Sequence, residues 1–494
     1  MLKQSFGKSF LLFQIITICS FSLLLGLATL KLPPQLVLGA LAASVFLYAI
    51  RKRPEIALLG ILFATSSIIF EDQLPIFPIG IGSLHIPDIL LLGSLGFIVL
   101  RKLTESEYKF IHTPLDLPLL IFVGVTLVAT IIAVLQSTVE IQTALRETRV
   151  QFYYLTFFVV TNLVRKQKQL NFLINGIIFL ATIVALAMMI QLLLDVPASF
   201  LPGRVETLET QGVTFEGVTR ILPPGLSIVL VSFVATLCAL IIEKFKPLGF
   251  LKFLQCGLLG MAILLTFLRG YWAVLILLFF LLGFLFRGVE WQRLIGWGMV
   301  VLFGITITMM IILNNPDSRA MNLVGGAANR LSTLFRSETF QGQDDSFNLK
   351  KIENEYALSA ILEHPFIGMG MGYTYRPWDP RIDQSGSNSN FDFRKFIHNG
   401  HFGVMLQSGL LGYFSLMWLS FAFLIRGYKY WQNITDDRIS AVMLGFTLAY
   451  LLVLVAAVIN STFNQWYWTP IIGIIMGINE VILINFRKTS PLHN

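Results

Sequence analysis

Charge is what this chain has least of. Of its 494 residues only 13% are Asp, Glu, Lys or Arg, while 55% are hydrophobic and the mean hydropathy is +0.74. A water-soluble domain carries roughly 25% charged residues, so a soluble globular fold is excluded. Cysteine is scarcer still: Cys19, Cys238 and Cys256 each sit inside an apolar run. That placement excludes an extracytoplasmic disulfide framework and marks all three as small buried hydrophobes. The six histidines form neither an HExxH nor an H-x-x-x-H spacing. The scattered set Asp344, Asp345, His364, His398 and His401 therefore reads as a solvated face and not as a metal site. No internal repeat is visible, and the one low-complexity patch is SGSNSN at Ser385–Asn390. The first apolar run is too long for the h-region of a signal peptide and is followed by no small-residue cleavage site, so it is expected to stay as a first helix.

What the chain does have is long apolar runs. Stretches of about 17 to 25 residues, enough to cross a hydrocarbon core of roughly 30 Å as helix, recur from Ser9 to Arg487. They predict spans at 9–30, 35–50, 55–71, 87–100, 117–137, 150–164, 170–194, 221–243, 248–268, 270–286, 294–313, 400–425, 439–459 and 466–485. The fold class is thus an all-α polytopic membrane protein of about 12 to 14 transmembrane helices, with a large extracytoplasmic loop before the twelfth span. Basic clusters such as Arg51–Arg53, Arg101–Lys102, Arg165–Lys168, Lys244–Lys246 and Arg426–Arg438 all fall on one side if Lys3 and Lys8 do. By the positive-inside rule that side is the cytoplasm, with both termini there. The net charge of +8 is then topological and is no nucleic-acid footprint. The expected division is an N-terminal bundle, 1–247, a region 248–425 that includes the outer loop 314–397, and C-terminal helices, 426–494.

Three segments face outward: Ser137–Arg149, Asp195–Arg220 and Asn314–Ile397. In the last, acidic N-cap candidates Asp344 and Asp345 precede Leu349, Ile352, Tyr356 and Ala360 at helical spacing, and Pro365 ends the run. This predicts an amphipathic helix. After it Gly368, Gly370 and Gly372 alternate, which suits either a flexible turn or a backbone that approaches a phosphate.

Outward arginines run against the positive-inside rule and so carry information: Arg146, Arg149, Arg204 and Arg220, then Arg319, Arg330, Arg336, Arg376, Arg381 and Arg394 in the large loop. Arg269, in LLTFLRGYWAV, is the sharpest case, since apolar residues flank it at the outer end of a hairpin. It is either a functional group held at membrane depth or an arginine snorkelling to the headgroups. The planar guanidinium donates two parallel hydrogen bonds and suits a diphosphate at the outer leaflet.

In FRKFIHNGHFGVMLQSGLLGY, His398 and His401 stand where the polar loop becomes an apolar helix. Asn399 suits the N-cap of that helix, and the histidines then read as interfacial neighbours of a capping turn. The helix dipole also disfavours an imidazolium at this end, which would leave His398 able to accept a proton. His401, three residues on, shares that face and reads as structural, or as a group that orients the base or touches an acceptor.

HNGHFGVMLQSGLLGY resembles the signature of the O-antigen ligase and polymerase superfamily: a His-Asn pair, nine residues, then Gly in a GLLG turn, here His398, Asn399, Gly409 and Gly412. EHPFIGMGMGY is similar to the family's His-Pro-x-x-Gly-x-Gly-x-Gly segment through His364, Pro365, Gly368, Gly370 and Gly372, and LLTFLRG to its Ser-Arg-Gly hairpin through Arg269 and Gly270. Leu268 stands where the serine is usual, and ILPPG follows Arg220 where many members have a Gly-Thr-Phe-Gly-Asn-Pro-Asn-like run. The resemblance covers roughly Leu248–Ile425.

It implies a metal-independent, inverting membrane glycosyltransferase without a cofactor. Such an enzyme, a ligase or a polymerase in cell-envelope polysaccharide synthesis, sits in a bacterial cytoplasmic membrane with its site facing outward. It moves a glycan from a polyprenyl diphosphate carrier, such as undecaprenyl diphosphate, to the hydroxyl of a lipid or glycan acceptor. In that reading His398 is the catalytic base and Arg269 a diphosphate ligand, with Arg220 a second; Arg146 and Arg149 are added from their position. Asn399, His401, His364, Gly368, Gly370, Gly372 and Gly409 support the site. The alternative is a transporter of bicarbonate or another small solute that shares the C-terminal region. Against it, transporters place ionisable groups at midplane on broken helices, whereas charge here gathers at the outer surface and the spans are almost free of it.

Overall fold

The computed structural model describes residues 50–66, 68–69, 73–78, 80, 82–194, 203–210, 213–243, 249–314, 319–332, 345–383 and 392–486. The chain divides into two compact units, 1–54 and 55–494. Of the first, only 50–54 are described, with 50–52 helical. The expected spans 9–30 and nearly all of 35–50 lie outside the described residues, as do Cys19, Arg336, Asp344 and the SGSNSN patch.

The second unit is a helical bundle. Its helices are α1 (Pro54–Thr65), α2 (Ile86–Thr104), α3 (Asp116–Leu135), α4 (Ile141–Phe152), α5 (Thr156–Leu163), α6 (Gln167–Leu194), α7 (Leu226–Ile242) and α8 (Gly249–Leu264). They continue as α9 (Arg269–Leu285), α10 (Val289–Leu313), α11 (Arg319–Ser332), α12 (Asp345–Glu363), α13 (Gly400–Tyr430), α14 (Asp437–Ala456) and α15 (Thr469–Phe486). Among the described residues, six are long and apolar enough to cross a membrane, namely α3, α6, α10, α13, α14 and α15, while α1, α7, α8 and α9 are apolar but shorter.

Helix positions follow the predicted runs closely, with two corrections. The run 150–164 is not one helix: α4 and α5 meet at a 3-10 turn, Tyr153–Leu155, where the Thr156 hydroxyl donates to the carbonyls of Tyr153 and Pro470 at 2.8 and 3.1 Å. The segment before α7, expected to face outward, contains an antiparallel hairpin, β3 (Arg204–Thr210) with β4 (Val213–Leu222). It leaves no apolar run in the sequence, because VETLET and VTFEGVT mix β-branched with polar residues. A minor pair, β1 (Phe77–Pro78) with β2 (Ser83–Leu84), precedes α2.

The core lies between α7, α14 and α15, whose residues are almost all buried. A Cβ on Gly445 would stand 2.5 Å from the Ala235 Cα, so α14 and α7 touch backbone to backbone, the small-residue contact that lets helices associate in lipid. α10 is the opposite case: no residue on it is buried, and Met299, Phe303 and Met310 point away from the protein. The spans carry more charge than expected. Glu480 on α15 is 1% exposed and takes a bidentate bond from Arg426 at 2.7 and 2.8 Å, which ties α13 to α15.

A cap covers the end of the bundle where α13 begins. It consists of α12 and the segment that returns to α13. Ala357, Ala360 and Ile361 pack with Met369, Tyr375, Ile397 and Leu406 in one apolar cluster. Three of the arginines expected to face outward are used in it. Arg376, 4% exposed, makes a bidentate pair with Asp383 at 2.7 and 2.9 Å, Arg381 one with Asp379 at 2.6 and 3.0 Å, and Arg394 one with Asp392 at 2.8 and 3.0 Å.

The Arg381 hydrogen bonds hold the Asp379 carboxyl well below the usual carboxylate range, and the Arg376 and Arg394 side chains lower Asp383 and Asp392 in the same way. Each group binds a proton more weakly folded than unfolded. Its contribution to stability is therefore full above about pH 4, the ordinary Asp value, and is lost as pH falls through the depressed folded values. Hydrogen exchange across 353–383 and 392–395 is expected to stay slow from neutral pH to about 4 and to accelerate below it, ahead of exchange in α14.

Candidate active site under the cap

Local folding at the start of α13 follows from two residues. Asn399 is the N-cap: its side-chain oxygen accepts the backbone N–H groups of His401 and Phe402 at 3.1 and 3.2 Å. Gly400 lets the helix start against the end of α14, donating its N–H to the Ala457 carbonyl at 2.7 Å; a Cβ there would meet the Asn460 carbonyl at 2.9 Å.

The two histidines have different surroundings. His398 lies before the cap residue and is held by Glu353 of α12. Its backbone N–H donates to Oε2 at 3.1 Å, and its Nδ1 stands 2.9 Å from Oε2 and 3.2 Å from Oε1. The carboxylate is 5% exposed behind an imidazole that is 36% exposed. An ionised carboxylate only accepts, so Nδ1 is the nitrogen that carries a proton, and in the neutral imidazole the lone pair is on Nε2. The Phe396 ring stands edge-on to the imidazole, 4.9 Å between centroids.

His401 has both nitrogens engaged. Nε2 donates to the Leu454 carbonyl at 3.0 Å, an orphan acceptor in the last turn of α14, and Nδ1 accepts the Tyr413 hydroxyl at 3.3 Å. The ring also packs edge-on against Phe463.

Arg269 comes to the same corner from another part of the chain. It is half-buried and opens α9. A Cβ on its neighbour Gly270 would lie 2.5 Å from Ile459 Cδ1 and 3.4 Å from the Asn460 amide nitrogen. Gly270 and Gly400 thus flank one turn, 457–460, at the end of α14. Arg220 of β4 joins them, donating its Nε to the Thr266 carbonyl at 3.1 Å in the turn that leads to Arg269.

The other candidates sit elsewhere. On α4, Arg149 reaches Asp88 at the start of α2, 3.6 Å away, beside the Tyr153 hydroxyl that donates to Asp88 at 2.5 Å. Arg146 stands exposed next to Glu147. α4 meets the site through Gln151 instead, whose amide donates to Asn464 at 3.2 Å; Asn464 is also the residue that a Cβ on Gly403 would strike. His364 is exposed at the end of α12.

Its glycine segment is a clamp on α13. Gly368, Gly370 and Gly372 all have positive φ, near +80°, a conformation that costs a side-chain-bearing residue about 1 to 2 kcal/mol. The N–H groups of Met369 and Gly370 donate to the carbonyls of Leu406 and Gln407 at 2.7 and 3.1 Å, and that of Met371 to Thr130 Oγ1 of α3 at 3.0 Å. These donors are spent on protein acceptors, so this stretch closes the fold and is no phosphate cradle. Gly409, also at positive φ, is where α13 breaks to receive it.

Glu353, the turn 457–460, Asn464 and Asp88 escaped the sequence reading. For Glu353 a signal existed: it lies four residues before Ala357 on the face of α12 that is buried, whereas the apolar spacing of Leu349, Ile352, Tyr356 and Ala360 pointed one residue away. Among the described residues no three His, Cys, Asp or Glu side chains gather as metal ligands.

Residues 254–417 match the family described as O-antigen ligase, a stretch that runs from α8 through the break in α13 and contains Arg269, Glu353, the glycine clamp and His398. A search of the curated proteins finds no match to the chain. Residues 254–417, with a bundle of apolar helices around them, are thus similar to the O-antigen ligase family, and the match supports a glycan-transfer role in a membrane.

Proposed function

We propose that this protein transfers a glycan from a polyprenyl diphosphate to an acceptor hydroxyl at the outer leaflet of the cytoplasmic membrane, with His398 as the base. The observation that carries the reading is the shared corner: the Arg269–Gly270 helix start and the His398–Asn399–Gly400 helix start flank the same turn of α14. A cation and a proton acceptor beside one another are what this transfer needs. Arg269, with Arg220 behind it, holds the diphosphate, and His398 Nε2 faces the acceptor.

In the step, the acceptor O–H gives its proton to Nε2 as its oxygen bonds to the anomeric carbon. The bond from that carbon to the diphosphate oxygen breaks on the opposite side, which inverts the centre, and polyprenyl diphosphate leaves as an anion against the arginines. The leaving group is good already, so orientation, charge neutralisation and a base worth about 10² to 10⁴-fold suffice. His401, with both nitrogens engaged, holds α13 to α14. The positive-inside distribution supports the orientation: Arg165, whose carbonyl accepts the Asn485 amide at the last turn of α15, and Arg101 both stack on Tyr108, at 4.8 and 4.4 Å.

The test uses purified protein in proteoliposomes with a polyprenyl-diphosphate oligosaccharide, offered as its own acceptor and, separately, with a lipid-core glycolipid. Product with inverted linkage, formed equally with and without chelator, is expected. Solute flux without any glycan product would sink the reading.

A further inference from the structure

We infer that Glu353 is the positioning residue for His398, so that the cap helix α12 makes the base competent. The inference rests on the glycan-transfer reading above and adds to it a residue that lies outside all three recognisable motifs.

α12 buries a face of Ala357, Ala360 and Ile361 against Ile397, Leu406 and their neighbours. Glu353 occupies the same face and is 4% exposed. A carboxylate in such a place is unfavourable unless hydrogen bonds satisfy it, and an alanine would serve packing better. Its described partners all belong to one residue, the backbone N–H and Nδ1 of His398.

A grip on both backbone and ring does three things. It fixes the side-chain torsions of His398, where a free imidazole would turn. It sets the proton on Nδ1, which leaves Nε2 as the proton acceptor. When Nε2 takes the acceptor's proton, the imidazolium forms beside a fixed negative charge, and the proton stays on the ring. His401 shows the contrast: its partners are a carbonyl and a hydroxyl, and they leave neither nitrogen open. Because Glu353 belongs to the cap and His398 to the bundle end, the base is oriented only while α12 is docked.

Two measurements on the full-length protein in proteoliposomes test this. With the polyprenyl-diphosphate oligosaccharide, Glu353→Gln is expected to lower kcat about 100-fold with the donor KM changed less than about threefold, and Glu353→Asp to recover at least about tenfold of that loss. A role in packing alone predicts kcat within about threefold of wild type in Glu353→Gln, or a Glu353→Asp no better than Glu353→Gln, and either result overturns the inference. The second measurement needs no transfer. Diethyl pyrocarbonate modifies the unprotonated imidazole nitrogen, and carbethoxylation of His398, read by peptide mass, is expected to slow at least about fivefold in Glu353→Gln. If wild-type protein makes no glycan product yet the labelling falls, the function is wrong and the positioning stands. If transfer occurs and the labelling is unchanged, the positioning is wrong and the function stands.

Discussion

Alanine at His398 is expected to lower glycan transfer by about 10² to 10⁴-fold, the range of a lost general base. The same substitution removes Nδ1, leaving the backbone N–H of residue 398 on the buried Glu353 carboxylate, and a buried acceptor left unsatisfied costs about 1 to 3 kcal/mol. Loss of activity in His398→Ala alone therefore has two origins. Asparagine separates them. Its amide nitrogen sits close to where Nδ1 was and donates to Glu353, so His398→Asn is expected to melt within about 2 °C of wild type while transferring no faster than His398→Ala. Initial rates in proteoliposomes, corrected for folded protein, make the comparison. Transfer by His398→Asn within tenfold of wild type would remove His398 from the chemistry and leave it a link between α12 and α13.

What the sequence made legible, and what it did not, divides along a physical line. Membrane helices announce themselves, because a span must be apolar over its whole length whatever it packs against. Hence α3, α6, α10, α13 and α14 begin and end within a few residues of the predicted runs. Asn399 was legible for a similar reason: capping is a local contract between a side chain and the next turn. Pairings across the fold are not local. Nothing around Glu353 in KKIENEYAL says that its partner lies 45 residues later, and nothing around Arg149 says that it turns to Asp88. Arginines that the positive-inside rule makes conspicuous were equally ambiguous. Arg376, Arg381 and Arg394 are charged, yet each is consumed by an aspartate within a few residues, whereas Arg220 reaches the turn that leads to Arg269, whose neighbour Gly270 packs on the turn 457–460.

Gly409→Ala is expected to cost about 4 kcal/mol or more and to leave little folded protein, though residue 409 touches no reacting group. At Gly409 the backbone of α13 leaves the helix, with φ +63° and ψ −169°. The break strands acceptors and donors that a continuous helix would pair, and the glycine clamp satisfies them. Leu406 and Gln407 carbonyls receive Met369 and Gly370, while the N–H groups of Leu410 and Leu411 donate to the carbonyls of Pro365 and Phe366 at 2.7 and 3.2 Å. A Cβ on residue 409 would stand 2.2 Å from the Phe366 carbonyl oxygen, a backbone atom that cannot swing aside. The clamp must then lift, and four hydrogen bonds of about 0.5 to 1.5 kcal/mol each are strained together with the left-handed conformation. Gly288 supplies the control, since its φ is +62° but a Cβ there meets nothing within 4 Å. Gly288→Ala pays only for its conformation, about 1 to 2 kcal/mol. Thermal melting in nanodiscs is expected to rank wild type above Gly288→Ala and both well above Gly409→Ala. Equal losses for the two glycines would mean that backbone conformation alone is at stake and that the clamp does not hold α13. The wider gap means that the cap, Glu353 included, is fastened to the bundle at the break in the helix that begins beside His398.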